Sequence, residues 1–209
     1  MSEKKLKILI VGATGTLGRA IEAELSPRHT VLIASRTSKD FALDITDTQS
    51  VHSTFLKIGK VDAVICATGE VAFVPLAEMK AEALGASAFT LGITNKLMGQ
   101  INLALAAREF IHDGGSITLT SGILCEHPIA KGASASMVNG ALEAFVRAAA
   151  IELPRSLRIN IVSPNVLQES MESFAPFFRG FEAIPAARAA LAYSRSVEGL
   201  QTGQVYKVF

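Results

Sequence analysis

Short apolar runs rich in β-branched residues alternate along the chain with stretches in which apolar positions recur every three to four residues. The runs fall at 6–11, 30–35, 61–67, 115–121, 157–163 and 203–208. Each is near-continuously apolar, which suits a strand covered on both faces. The helical stretches fall near 16–25, 48–58, 82–111, 134–153 and 185–198. Asp47 or Thr46 offers an N-cap for the second, and Pro154 ends the Ala-rich fourth. This alternation predicts an α/β fold: a doubly wound parallel sheet with right-handed crossovers and helices on both faces, three layers in all. One stretch, about 164–184, is irregular and rich in Phe, Ser, Glu and Pro. It follows a strand, where such sheets place ligand-binding loops. Within it Phe174, Phe177, Phe178 and Phe181 fall near helical spacing. They form either an aromatic face of a short helix over a pocket mouth or plain core packing.

Composition adds bounds. A chain of 209 residues, 49% hydrophobic, predicts one domain over 1–209 with a sizeable core. A net charge of +1 without a basic stripe argues against nucleic acid as a partner. The apolar stretches are short and interrupted, so no membrane span is expected. Met-Ser-Glu-Lys-Lys leads straight into a strand, which leaves no room for a secretory segment and makes a cytoplasmic location the expectation. Cys66 and Cys125 give neither a disulfide framework nor metal-ligand spacing, so no metal site is expected.

Candidate chemistry begins where the first run ends. Gly12-Ala-Thr14-Gly15-Thr16-Leu17-Gly18 joins a strand to a helix. Gly12 permits a tight turn, Gly15 lets backbone N–H groups approach a pyrophosphate, and Gly18 lets helix and strand pack closely. The positive end of the helix dipole then faces the phosphates. The second run ends in Ser35-Arg36-Thr37, without the acid that would accept from a ribose 2′-hydroxyl. Arg36 offers a planar guanidinium to a phosphate, and Ser35 and Thr37 offer hydroxyls, which favours NADP(H) over NAD(H). Arg36 as a surface residue in a turn is the alternative. Leu43-Asp44-Ile45 is placed to close over an adenine, with Asp44 on its exocyclic amine or engaged in ordinary capping. Ala67-Thr68-Gly69, after the third run, lets backbone approach a ribose. The P-loop pattern is missing after the first strand, which excludes that phosphotransferase class.

Taken together these segments resemble the short-chain dehydrogenase/reductase family along essentially the whole chain. The glycine spacing resembles its extended or atypical branches, and Ala67-Thr68-Gly69 sits where the family has Asn-Ala-Gly. Gly115 to Ser121 resembles the strand leading to the catalytic serine, and Pro164-Asn165-Val166 the segment that touches the nicotinamide carboxamide. Thr202 to Tyr206 resembles the final strand. The resemblance implies a Rossmann-type sheet of about seven strands, an NADP(H) cofactor and a small-molecule substrate. It also implies a homodimer or homotetramer built through the helices at 82–111 and 134–153.

The family's chemistry uses a tyrosine and a lysine one helical turn apart. Counted back from Ile151-Glu-Leu153, those positions are Ala135 and Asn139. The serine position falls on Gly122, beside Ser121. Lys96-Leu-Met-Gly99 occupies the place of the family's Asn-x-x-Gly. Lysine and asparagine look exchanged across one shared space. Lys96 is then the replacement cation on the ribose or nicotinamide side, and Ser121 and Lys96 are the candidate catalytic residues. His127 and Lys131 lie in the following loop near the mouth, while Tyr193 sits on a late helix as a packing residue. Two readings stand: an oxidoreductase of altered active site acting on a small carbonyl or enone, and a non-catalytic NADP(H)-binding sensor or scaffold.

Overall fold

The computed structural model describes residues 5–209. Six parallel strands form one sheet: β1 (Lys7–Val11), β2 (Thr30–Ala34), β3 (Val61–Cys66), β4 (Ile111–Thr120), β5 (Arg158–Pro164) and β6 (Val205–Val208). Their order is β2-β1-β3-β4-β5-β6. The expected count of about seven compares with six, and beyond β2 lies an isolated bridge, Ser35 to Ala42, not a strand. That bridge is made by Leu43 N–H donating to Ser35 O at 3.0 Å and Ser35 N–H donating to Phe41 O at 3.3 Å. The chain then turns away toward Asp47, whose side chain caps the next helix by accepting from Gln49 N–H.

The helices are α1 (Thr16–Leu25), α2 (Thr48–Ile58), α3 (Met98–Phe110), α4 (Ala133–Glu152), α5 (Met171–Phe174) and α6 (Ala186–Glu198). Strand alternation divides the core between the two faces of the sheet. Leu9, Val64, Leu119 and Ile161 pack with Phe55 of α2, Leu103 of α3 and Leu142 of α4. Ile8, Ile10, Ile65 and Val162 pack with Ile21 of α1 and Tyr193 of α6. No helix among the described residues is long and apolar enough to cross a membrane.

Two expectations need correction. The helix over 82–111 does not form as one piece. Residues 84–86 make an isolated 3₁₀ turn, helical structure starts at Thr90, and the π-helical turn Gly92–Leu97 runs directly into α3. Ala83 and Ser87 are extended, and the Ser87 hydroxyl accepts from Phe89 N–H, which starts helical structure late. Gly85 adds the usual propensity penalty of about 1 kcal/mol. The phenylalanine helix likewise reduces to the single turn of α5, after which Pro176 prevents its continuation. Its aromatic residues instead collapse together, with Phe174 and Phe178 edge to face at 6.2 Å.

At its C-terminal end β4 outruns β3, whose pairing ends at Ile65–Thr118. A buried amide takes over the exposed backbone. Gln100 Nε2 donates to Thr120 O, and Thr120 N–H donates to Gln100 Oε1, both at 2.9 Å. Gln100→Ala strands both groups in a dry core. The expected loss is about 2–4 kcal/mol of stability, read as a lower urea midpoint at unchanged slope.

Candidate functional site

The glycine turn closes as its spacing demands. Gly12 has φ +92°, and its N–H bonds Ala34 O at 2.9 Å. A Cβ on Gly18 would lie 2.2 Å from Gly12 O, so helix and turn touch backbone to backbone. A Cβ on Gly15 would meet only Gly12 O, at 3.6 Å. Gly15 is the N-cap of α1, with no side-chain cap and no acid in the first turn. The first-turn N–H groups and the positive dipole end therefore remain available to an anion.

This turn forms one wall of a cavity of about 350 Å³. Gly12, Thr14 and Gly15 line one side, Ser35, Arg36 and Thr37 another, and Asp44, Ile45, Ala67 and Thr68 the rest. The Asp44 carboxylate accepts from the Thr46 N–H at 2.9 Å and its hydroxyl at 2.7 Å. These two bonds, backbone first, hold its carboxyl below the usual carboxylate range. Thr16 lies on a neighbouring, more open depression with Arg19 and Glu169. Leu17 packs against the core under α1. Gly69 leaves room for the Lys96 stem, whose Cγ would stand 2.6 Å from an added Cβ.

Two lining residues have no counterpart in the sequence reading. Glu70 Oε1 accepts from Arg36 Nη2 at 2.9 Å, and Glu70 N–H donates to Asn95 Oδ1 at 2.8 Å. Asn95 sits on the π turn, a geometry that recurs at functional sites. Its neighbour Lys96 lines a second cavity, of about 210 Å³. Glu70 and Val71 divide in the same way, so the two cavities adjoin.

The second cavity is mostly apolar. Val71, Phe73, Ile123, Leu124, Phe174 and Phe178 form its walls, with Ala135 among them. Its polar floor is Lys96, Ser121 and Asn139, beside Pro164, Asn165 and Val166. Lys96 Nζ donates to Asn139 Oδ1 at 2.7 Å and to Ser121 O at 3.0 Å. Lysine and asparagine thus meet directly. Burial pushes the Lys96 amine down to about 8. The Ser121 hydroxyl donates to Glu143 Oε1 at 2.9 Å, a buried carboxylate absent from the sequence reading. The Asn165 amide serves the loop, accepting from Val166 N–H at 2.7 Å and donating to Glu182 O at 2.9 Å.

The remaining candidates lie off this floor. Tyr193 is fully buried, with its hydroxyl 2.7 Å from Thr120 Oγ1, and burial raises its pKa. Lys131 stands over the Phe177 ring at 5.6 Å, and His127 packs edge-on against Phe209 at 5.8 Å. Cys125, Glu126 and Glu143 bring possible ligand atoms within 4.8 Å of one another. Burial holds the Cys125 thiol up at about 12, and Lys207 pairs with Glu126 at 2.7 Å.

A family model described as enoyl-(acyl carrier protein) reductase matches residues 17–205. No curated protein matches the chain. Among solved structures, the protein lin1944 from Listeria innocua is 48% identical, with a TM-score of 0.93 over 98% of this chain and 100% of that one. A small-chain dehydrogenase is 28% identical, with a TM-score of 0.79 over 98% of this chain and 96% of that one. Another, solved in complex with NADPH, is 25% identical, with a TM-score of 0.84 over 98% of this chain and 97% of that one.

Proposed function

The chain belongs to the short-chain dehydrogenase/reductase family, and from that premise we propose that it is an NADP(H)-dependent oxidoreductase with an altered active site, reducing a small carbonyl or enone compound. One observation carries the reading: a cavity with an uncapped helix N-terminus and Arg36 adjoins an apolar cavity whose floor holds a single lysine. The residues fit the dinucleotide. Gly15 lines the cavity with no side chain between its backbone and a pyrophosphate, and the free N–H groups of α1 supply donors. When bound, the dinucleotide supplies a hydride. The solved NADPH complex of a small-chain dehydrogenase supports this choice of cofactor.

The chain itself must then manage a proton. The resemblance places Ala135 and Asn139 where tyrosine and lysine act, and a methyl group transfers no proton. Lys96 takes that task in our reading. Two of its three N–H groups are bound by Asn139 Oδ1 and Ser121 O, which orients the ammonium and leaves the third for substrate. An amine near 8 keeps its proton at neutral pH yet releases it more readily than an ordinary lysine. Ser121 contributes through its carbonyl, because its one hydroxyl proton is already given to Glu143. The apolar walls suit an uncharged substrate and keep water from the floor. A homodimer or homotetramer belongs to the same proposal. The groove between α3 and α4, lined by Leu105, Phe145 and Leu153, offers an apolar surface for it.

A second reading, a non-catalytic NADP(H) sensor, rests on the same Ala135 and Asn139. Titration and turnover separate the two. NADPH is expected to bind at least tenfold more tightly than NADH, since one bidentate charged contact to Arg36 is at stake. Its oxidation is then followed with a panel of aldehydes, quinones and enones. Turnover supports the enzyme. Tight binding without turnover across the panel and over a range of pH supports the sensor. A folded chain that binds neither cofactor ends both readings.

A further inference from the structure

The nucleotide cavity has an unfavourable charge balance for a polyanion. Its charged lining residues are Arg36, Asp44 and Glu70, one guanidinium against two carboxylates. Asp44 is engaged with Thr46. Glu70 is engaged with Arg36, at 2.9 Å. Its position is built rather than incidental, because its backbone N–H is fixed by Asn95 Oδ1 at 2.8 Å from the π turn. One nitrogen of the guanidinium suited to a phosphate, Nη2, is therefore already paired with an acid that lines the same cavity.

We propose that Glu70 is a specificity-determining residue: it holds Arg36 in the place of the 2′-phosphate, so that NADP(H) must displace it, and it narrows the preference for NADP(H) over NAD(H). The proposal rests on the NADP(H) reading above. A 2′-phosphate wins Arg36 because it offers more charge and two oxygens to the planar fork. It does so against repulsion from the released carboxylate. NAD(H) carries a 2′-hydroxyl, displaces nothing, and finds in Glu70 an acceptor for that hydroxyl. The ion pair is well exposed, at 65% for the Arg36 side chain and 52% for Glu70. Water screens it, so the effect is a bias on cofactor choice and not a lock.

The test measures dissociation constants of NADPH and NADH by titration calorimetry at one ionic strength, using the full chain. The proteins are wild type, Glu70→Gln, Arg36→Gln and the double variant. Glu70→Gln is expected to tighten NADPH about three- to tenfold, and to leave NADH unchanged or weaker. The gain is expected to vanish when Arg36 is also replaced. An equal gain for both cofactors, an unchanged ratio, or a gain that persists without Arg36 overturns the proposal. Failure of the underlying reading looks different. A folded wild type that binds neither dinucleotide defeats the cofactor assignment and this proposal with it. Wild-type NADPH binding with no effect of Glu70→Gln defeats the role of Glu70 alone.

Discussion

Lys96→Met is expected to slow NADPH-dependent reduction by about 10²- to 10⁴-fold, the range for loss of a positioned acid. It is also expected to weaken NADPH binding by about tenfold, the worth of one charge-assisted hydrogen bond. The stem volume is nearly kept, and the variant loses two hydrogen bonds together with the cost of a buried charge, so the fold persists. Unchanged activity and affinity would defeat the assignment. The pH profile gives a second check. A donor acts only while protonated, so the wild-type reduction rate should be level below a pH of about 8 and fall tenfold per unit above it. Lys96→Met should lose that break. Asn139→Asp, which puts a carboxylate beside the ammonium, should move it upward. Rates with the best compound of the panel, measured across pH 6–10 or roughly that span, decide the matter.

The strands and the glycine turn were legible because both are local. A buried parallel strand must be apolar over its whole length, and a βα turn in which a Cβ on Gly18 would stand 2.2 Å from Gly12 O permits only glycine there. The helix expected over 82–111 was not legible. Its apolar content is high, yet Ser87 decides where helical structure begins and the π turn shifts its period, and both act against a general periodicity. Lys96 and Asn139 were legible as a pair only through the resemblance, since 43 residues separate them. Glu70, Asn95 and Glu143 carried no signal at all. Each is an ordinary polar residue in its own segment and gains meaning from a partner elsewhere. Glu70 meets Arg36 across 34 positions, and Glu143 meets Ser121 across 22. Such long-range polar pairs are what one sequence hides, because neither partner breaks a local rule.

Gly18→Ala and Gly15→Ala should separate the two tasks of the turn. A Cβ at Gly18 would stand 2.2 Å from Gly12 O and 2.6 Å from Ala13 Cα. Both are backbone atoms, and Gly12 is itself fixed by its bond to Ala34 O and by Ala67 behind it. Nothing flexible can yield, so α1 must lift from β1. The expected cost is about 3 kcal/mol or more, the upper end for overpacking. NADPH binding should fall at least a hundredfold, because the N–H groups move with the helix. Gly15→Ala meets no such wall, since its nearest neighbour is at 3.6 Å, and its φ of −78° suits any residue. Its stability should drop by about 1 kcal/mol or less, the cost of alanine at an N-cap. Gly15 lines the cavity, however, and a methyl group there is expected to take space that the phosphates need. NADPH binding should therefore fall tenfold or more with little change in the denaturation midpoint. Denaturation and NADPH titration on both variants check the contrast. If Gly15→Ala binds NADPH as the wild type does, the phosphates do not pass over this turn, and the cofactor site has been placed in the wrong cavity.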